Sequence, residues 1–211
     1  MNLKKIIKDV FILCLITIIC GGLMGYVYQI TKKPIEKQAK QTQQEAYKLV
    51  MKKATSFKKY EVQKIKKLSK QLKNNENNVE IVQALKAYQN KKNIGEIIQV
   101  IDHDGFGGDI ELIVGINQQK EITGVEILSI DETVGLGMNA KNKEFRDQYK
   151  GKKVDRFEVV KTGKQSDEEI DSLSGATITS KAMTSGINGA LEFYDLLKGR
   201  WEYGKVSKTF I

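Results

Sequence analysis

The chain has 211 residues, enough for one domain of ordinary size and an additional segment. With 40% hydrophobic and 29% charged residues, it is typical neither of a disordered chain nor of a protein that crosses a membrane many times. A single His and two Cys exclude zinc sites built from Cys and His, and a formal net charge of +9 makes the chain basic.

The N-terminal region contains one long apolar run. Residues 10–28 include no charge, and as a helix they would span about 28 Å, close to the thickness of a membrane's hydrocarbon layer. A cleaved signal peptide would have a shorter apolar core and a small-residue cleavage motif, whereas a buried helix would show a polar stripe, and neither pattern is present. We therefore predict a transmembrane anchor over residues 10–30.

The charges around this run favour one orientation. Lysines flank both of its ends, but a short stub over residues 1–9, with three lysines and the amino terminus, favours a cytoplasmic N-terminus. We therefore expect a single-pass protein of the plasma or inner membrane, with its soluble domain on the extracytoplasmic side. Cys14 and Cys20 lie within the apolar run, so the body has no cysteine with which to form a disulfide.

The next segment, residues 31–93, is polar and rich in lysine, and we predict that it is helical and lies near the membrane. Between Lys52 and Lys73 there are nine lysines and one acid, Glu61. Such a cluster is found where proteins contact anionic lipid or nucleic acid, and also on ordinary solvated faces. Few aromatic residues are nearby and no recognition-helix pattern is present, which favours a solvated face and no nucleic-acid partner. Residues 74–78 are typical of a loop.

From Ile94 onward the pattern changes to that of a sheet. Apolar residues over 97–101 predict a strand, and alternation over 110–116 predicts a half-buried strand. A return strand is predicted over 122–130, where Gly124 suggests a bulge. Because the connection between the last two strands is short, we predict an antiparallel meander.

Shorter elements follow toward the C-terminus. We predict a short helix over 143–149, a strand over 154–161 and a long helix over 181–197. The predicted fold class is α+β, with a single N-terminal transmembrane helix followed by an antiparallel sheet packed with helices. The domain is expected over 94–198, with a C-terminal tail over 199–211. The long helix has apolar residues at core-facing spacing: Met183, Ile187, Ala190, Leu191, Tyr194 and Leu197.

Few side chains in the body could carry catalysis by themselves. His103 is the only imidazole, and a lone His between two aspartates is more often a hydrogen-bonded surface residue than a catalyst. Without a second His or a Cys in the body, a nucleophile would need a Ser–Lys or Thr-based arrangement, and no signature for either is present. No metal site is predicted.

Two glycine-rich loops are the candidates for a ligand site. Residues 174–177 (Ser-Gly-Ala-Thr) precede a predicted helix, where free backbone N–H groups favour a phosphate and where Thr179 or Ser180 could act as the cap. The same residues are also typical of ordinary helix capping, and their spacing fits neither a Walker loop nor a dinucleotide fingerprint. Residues 132–137 (Glu-Thr-Val-Gly-Leu-Gly) carry one acid and one hydroxyl, and they would equally serve as a flexible connector.

Together, these loops resemble the FMN-binding domain shared by the G subunit of the Rnf ion-translocating oxidoreductase complex and the C subunit of the sodium-pumping NADH:quinone oxidoreductase. The family pattern Asp-x-x-Ser/Thr-Gly-Ala-Thr is matched in full by residues 171–177. The family's Glu-Thr-Pro-Gly-Leu-Gly loop is matched by residues 132–137, with Val134 in place of Pro. Its Gly-Tyr-Gly-Gly turn is matched by residues 105–108, with Phe106 in place of Tyr.

The resemblance extends from about Gly95 to Leu197 and departs from the family at one point. The histidine often found just before the Glu-Thr loop is missing, since Ile130 and Asp131 occupy those positions. The resemblance implies that a flavin transferase joins FMN through its phosphate to the hydroxyl of Thr177. It also implies that the cofactor site contains residues of both loops: Asp171, Ser174, Gly175, Ala176 and Thr177, with Glu132, Thr133, Gly135, Leu136 and Gly137.

The function implied by the resemblance is electron transfer within a membrane-bound, ion-translocating oxidoreductase complex linked to ferredoxin and NAD. The partners would be the other subunits of that complex, and the cofactor rather than a protein side chain would carry the reaction. The chain would thus be an electron carrier that is not catalytic alone. Two alternatives stay open: a stand-alone, membrane-anchored extracytoplasmic flavoprotein reductase, and a non-redox anchored binding module.

Overall fold

The structure is a computed structural model that describes residues 3–72 and 78–199. Most of the loop predicted at 74–78 and all but the first residue of the predicted tail lie outside these residues. The chain divides into two compact units, Met1–Gln44 and Glu45–Ile211.

The helices are α1 (Leu3–Val50), α2 (Val62–Leu72), α3 (Lys143–Arg146) and α4 (Thr177–Lys198), with a 3₁₀ helix at Gly137–Lys141. The strands are β1 (Ser56–Lys59), β2 (Val79–Gln89), β3 (Lys92–Asp102), β4 (Ile110–Asn117), β5 (Ile122–Ile130), β6 (Glu158–Val160) and β7 (Glu169–Asp171).

The first unit consists of helical residues of α1. Its most apolar 18-residue window has a mean hydropathy of 2.5, and none of that window is buried within the protein. Within the described residues, α1 is the one helix long and apolar enough to cross a membrane. An exposed apolar surface of this length is typical of a helix surrounded by lipid, which agrees with the predicted anchor.

The second unit is built on a five-stranded antiparallel sheet in the order β1-β2-β3-β4-β5. The predicted meander is confirmed, and so is the bulge beside Gly124. Gly115 pairs with Gly124 while Ile116 pairs with Ile122, which leaves Thr123 as the extra residue. The two glycines are required because the backbone of Val50 approaches the sheet here: a Cβ on Gly115 would lie 2.6 Å from the Val50 carbonyl oxygen.

Both faces of the sheet are covered by helices. One face packs against α2 and α4, and its core includes the α4 residues predicted to face inward, with Leu197 half-buried at the edge. The other face packs against residues 46–51 at the end of α1. Alternation along β4 explains this division, because Ile110, Leu112 and Val114 lie in the first core while Ile113 lies in the second.

The structure differs from the prediction over residues 31–93. This segment is helical to Val50 and again in α2, but β1 and the whole of β2 also lie within it and belong to the sheet. The sequence of β2 (VEIVQALKAYQ) is rich in Ala, Leu, Lys and Gln, which favour helix in isolation. Pairing with β3 along its whole length overrides that preference.

Three C-terminal elements also differ from their predicted bounds. The strand predicted over 154–161 is reduced to β6, which pairs with β7 in a separate two-stranded parallel sheet. The helix predicted over 143–149 is only the short α3, preceded by the 3₁₀ helix. The long helix begins at Thr177 rather than at residue 181, so the final threonine of the Ser-Gly-Ala-Thr loop is already helical.

Candidate functional site

Three loops that are far apart in the sequence meet near the N-terminus of α4. The turn at 105–108 lies against the start of the 132–137 loop, because the Phe106 N–H donates a 2.9 Å hydrogen bond to Glu132 Oε1. A Cβ on Gly107 would lie 1.8 Å from the carbonyl oxygen of Asp131, so only glycine fits at this contact. The turn is therefore fixed to the loop by both a hydrogen bond and close backbone packing.

The 132–137 loop in turn packs against the first turn of α4. A Cβ on Gly137 would lie 2.6 Å from Glu132 Oε2 and 2.7 Å from Thr179 Oγ1. A Cβ on Gly175 would lie 2.9 Å from a methyl group of Leu136. The two glycine-rich loops predicted from the sequence are thus direct neighbours in space.

The first turn of α4 presents one threonine to solvent and buries the other. Thr177 is exposed, whereas Thr179 is only 1% exposed. The residue preceding the helix is Ala176, and no side chain caps the helix. The expectation that Thr179 or Ser180 acts as the cap is wrong, because both residues lie inside the helix, where their side chains are buried.

Ser180 has a different role, which the sequence did not indicate. Its hydroxyl donates to the carbonyl oxygen of Ala176 at 2.9 Å and accepts from the N–H of Leu173 at the same distance. It therefore holds the 173–176 turn from inside the helix. Gly175 takes a φ of +72° in this turn, a conformation that favours glycine.

Asp171, at the end of β7, supports the same loop. Its Oδ1 accepts from the N–H of Lys164 at 3.0 Å, so this carboxylate holds a neighbouring turn. The side chain of Gln148 contacts the Asp171 backbone on both sides: its Oε1 accepts from the Asp171 N–H at 2.9 Å, and its Nε2 donates to the carbonyl oxygen at 3.2 Å. Gln148 was not predicted. Ser174, between Asp171 and the helix, is exposed.

Within the 132–137 loop, the acid is turned inward. Glu132 is 8% exposed, and its contact with Phe106 places it among the residues that hold the loops together. The carbonyl oxygen of Thr133 accepts from the N–H groups of Leu136 and Met138, and Gly135 has a φ of +81°. The loop is therefore internally hydrogen-bonded, with the side chain of Thr133 left exposed.

The exposed apolar side chains on these loops form a second feature of the site. Four large apolar residues lie on the three loops and on the first turn of α4, in a part of the domain where most apolar residues are buried. Exposed clusters of this kind on soluble domains are typical of ligand or partner sites. They are Phe106 (70% exposed), Val134 (85%), Leu136 (42%) and Ile178 (52%).

Two titratable residues lie beside the 105–108 turn. Asp102 is fully buried, one of its oxygens accepts from the Asp104 N–H, and burial raises its pKa. His103 Nδ1 lies 2.8 Å from Asp109 Oδ1, and this hydrogen bond raises the pKa of the imidazole. His103 is thus a hydrogen-bonded residue at the base of the turn. Within the described residues, no group of His, Cys, Asp or Glu side chains could hold a metal ion.

Two family models match this chain, and together they cover parts of both units. The model described as the FMN-binding domain matches residues 105–192, which include all three loops. The model described as the RnfG N-terminal region matches residues 1–50.

Relatives with assigned functions are similar to this chain over nearly its whole length. The G subunit of the proton-translocating ferredoxin:NAD(+) oxidoreductase complex of Clostridium ljungdahlii is 32% identical over 90% of this chain and 91% of its own length. The chain belongs to this RnfG family. The G subunit of the Na(+)-translocating complex of Acetobacterium woodii is 30% identical over 92% of this chain and 94% of its own. Among solved structures, Shewanella oneidensis NqrC is 20% identical, with a TM-score of 0.47 over 56% of this chain and 61% of its own.

The chain therefore contains an FMN-binding domain, and the geometry at α4 fits an FMN. The first intrahelical bond from this end runs from the Ser180 N–H to the Ala176 carbonyl oxygen, so the preceding N–H groups have no partner within the helix and are suited to a phosphate. Gly175 has no side chain to obstruct the approach. The exposed side chains of Leu136 and Ile178 offer an apolar surface to an aromatic ring.

Proposed function

We propose that this RnfG-family protein carries FMN covalently bound to Thr177 through a phosphoester, and that it relays electrons within an ion-translocating oxidoreductase complex linked to ferredoxin and NAD. The observation that carries the proposal is the contrast within one helical turn. Thr177 is an exposed residue at a helix N-terminus that no side chain caps, whereas Thr179 and Ser180 are buried. Of these three residues, only Thr177 is exposed to a modifying enzyme.

The attachment is a phosphoryl transfer catalysed by a flavin transferase. Thr177 Oγ1 would replace the nucleoside monophosphate of a flavin dinucleotide at the phosphorus next to the flavin: the P–O bond to Thr177 would form as the phosphoanhydride bond breaks, and the hydroxyl proton would pass to a base of the transferase or to water. Charge at the phosphate is favoured by the positive end of the α4 dipole and by the first-turn N–H groups. The Glu132 carboxylate accepts a hydrogen bond from the Phe106 N–H and so holds the 132–137 loop against the 105–108 turn.

Once bound, FMN accepts and donates electrons, so no acid or base of the protein has to take part. This role is consistent with a domain whose only histidine, His103, is hydrogen-bonded to Asp109 beside the 105–108 turn. We propose Asp171, Ser174, Gly175 and Ala176, with the residues of the 132–137 loop, as the cofactor-binding set. Within that set, Asp171 and Glu132 position the loops.

The remaining parts of the proposal concern the assembly. The relatives in Clostridium ljungdahlii and Acetobacterium woodii are named as subunits of oxidoreductase complexes, which supports other subunits as partners. We propose that α1 anchors the chain in the plasma or inner membrane and that the domain lies on the extracytoplasmic side. There a covalent tether has a physical advantage, because lost FMN could not be replaced from a cytoplasmic pool.

The proposal is tested by co-expressing the full chain with a flavin transferase and recording in-gel flavin fluorescence after denaturation. Thr177→Ala is expected to abolish the fluorescence completely, because the ester oxygen is missing. Thr179→Ala, two residues away, is the matched control and is expected to stay fluorescent. Covalent flavin on Thr177→Ala would contradict the proposal, and an unchanged melting temperature for that variant would show that it is folded.

Membership of a complex requires a separate measurement. The chain purified from its native membrane under mild detergent conditions is expected to bring the other subunits with it in fixed proportion. If the chain instead purifies alone and carries flavin, it is a stand-alone flavoprotein and the assembly part of the proposal is wrong.

A further inference from the structure

The positive charge of the chain is concentrated in one segment of the second unit. Residues 48–72 contain nine lysines and one acid, Glu61, and therefore carry +8. Because the whole chain carries +9, all the other residues together carry only +1. A basic composition spread evenly over the surface would not produce this distribution.

Six of these lysines lie on β1 and α2 and are all exposed; we call them the lysine surface. Within the described residues, none of the six has a carboxylate within 4.0 Å, whereas lysines elsewhere, such as Lys120 and Lys198, form ion pairs. The charge on this part of the domain is thus not neutralised by its own described neighbours. The six are Lys58, Lys59, Lys64, Lys66, Lys67 and Lys70.

The lysine surface also contains repulsive contacts. Lys58 on β1 is directly paired with Lys86 on β2, and like charges facing each other across an antiparallel pair are destabilising. The ammonium groups of Lys64 and Lys86 both lie over the ring of Tyr60, at 5.3 and 5.0 Å from its centroid. Each of these cation–π contacts contributes about 0.5–1 kcal/mol at an exposed site, and Lys86 also pairs with Glu96 on β3. A partner that brings carboxylates would relieve the repulsion.

The composition of the lysine surface distinguishes between classes of anionic partner. Ile65 and Leu72 on α2 are buried in the domain core, so α2 cannot place its apolar face in lipid as a membrane-surface helix does. Residues 48–72 contain no arginine, the side chain that best binds phosphates in nucleic acids. The Tyr60 ring is covered by two lysines and so is not an open stacking surface for a base.

We propose that the lysine surface is a docking site for another protein, which it recognises through a surface rich in Asp and Glu. Exposed lysines act as hydrated point charges, so they accelerate and orient association more than they tighten it, and their effect falls as salt increases. This inference goes beyond the flavin proposal and does not depend on it, because none of the residues involved belongs to the three loops.

The test uses the full chain in its native membrane and a carbodiimide, which joins a lysine amine directly to a carboxylate. We expect Lys64, Lys66 and Lys67 to be cross-linked to Asp or Glu residues of one other protein, and we expect the yield to fall at least fivefold in high salt. The variant K64E/K66E/K67E should lose co-purification of that protein at least tenfold. The variant K64R/K66R/K67R, which keeps the charge, should retain it.

K141E/K150E/K153E is the matched control, since it reverses three exposed lysines on other elements and should leave co-purification unchanged. Equal losses in the two triple-glutamate variants, or cross-links confined to this chain itself, would overturn the proposal. Binding of the purified full chain to poly-L-glutamate, to phosphatidylglycerol vesicles and to oligothymidylate provides the last comparison. If K64E/K66E/K67E loses more binding to the vesicles or to the oligonucleotide than to poly-L-glutamate, the surface would be assigned to a membrane or to nucleic acid instead, since binding through α1 is the same in both proteins.

Discussion

The two ends of α4 are built in opposite ways. At the C-terminal end, Gly199 takes a φ of 66° and its N–H bonds to the last helical carbonyl oxygens. Lys198 contacts the fully buried Glu96 at 2.5 Å, and the Tyr194 hydroxyl donates to the Asn117 carbonyl oxygen at 2.9 Å. At the N-terminal end, no side chain caps the helix, and the exposed Thr177 is its first residue.

The difference indicates where the domain obtains stability and where it keeps a site available. The C-terminal end is tied to the sheet by ionic and polar contacts that involve no residue of the first turn. The N-terminal end can therefore leave its hydroxyl and N–H groups for a ligand. If this division is right, changes at the C-terminal end should alter stability alone, and changes at the N-terminal end should mainly alter flavin attachment.

The largest effect on stability is expected from Lys198→Met. Removing the ammonium group leaves the Glu96 carboxylate buried without its cation, which costs about 3 kcal/mol. Thermal unfolding of the full chain in detergent should show a clear loss, while the remaining folded protein still carries covalent flavin. The double variant E96Q/K198M should recover more than half of the loss, and equal instability of the single and double variants would show that the ion pair is not the cause.

A smaller effect on stability, but a direct one on the site, is expected from Gly137→Ala. The added methyl group would lie 2.6 Å from Glu132 Oε2 and 2.7 Å from Thr179 Oγ1, so the loop must move away from α4 at a cost of about 2 kcal/mol. Flavin incorporation should fall severalfold in the fluorescence assay.

Gly135→Ala is the control for this change. Nothing lies within 4 Å of its added methyl group, and only the φ of +81° is strained, which costs about 1 kcal/mol. It should incorporate flavin almost normally. If both variants lose flavin equally, contact between the loop and the helix is not what prepares Thr177.

The Glu132 variants separate a positioning role from direct cofactor binding. Glu132→Ala leaves the Phe106 N–H without its acceptor, and we expect a loss of about 1 kcal/mol together with slower flavin attachment. Glu132→Gln keeps an acceptor oxygen at the same position and should be close to wild type in both measurements. A strong defect in the glutamine variant would show that the negative charge itself is needed at the site.

The smallest effect concerns pH. Because the hydrogen bond to Asp109 raises the pKa of His103 in the folded protein, its contribution to stability is complete below about pH 6.5 and is lost as the pH rises through the folded-state pKa. His103→Gln should lower the melting temperature at pH 6 and have little effect at pH 9. The difference should be only about 0.3 kcal/mol, since the pair is partly exposed. A variant effect that increases with pH would contradict this role.

The sequence predicted the elements with clear periodicity. Alternation over 110–116 and apolar spacing along 183–197 identify β4 and the inner face of α4, because burial on one side imposes these patterns. β1 and β2 were missed because lysine, alanine and glutamine favour helix locally. Their strand conformation comes from pairing with distant residues, as between Lys58 and Lys86 or Ala84 and Ile98.

The sequence predicted the motifs of the site but not the residues that hold its loops in place. The resemblance identified the loops, and the structure brings them together around the start of α4. The contributions of Gln148 and Ser180 were not predicted, because each acts on a backbone group of another segment and neither residue type signals that role. Which threonine is exposed also depended on where α4 begins, and hydroxyl-rich sequences leave that boundary ambiguous.

Fragmentation mass spectrometry of the chain purified from its native membrane would locate the flavin at a single residue. Trypsin releases residues 165–181 as one peptide, which contains Ser174, Thr177, Thr179 and Ser180. We expect one FMN phosphoester on this peptide, with fragment ions that place it on Thr177. A flavin located on Thr179 or Ser174, or a peptide without flavin from a membrane that contains the transferase, would contradict the assignment of Thr177 as the attachment site.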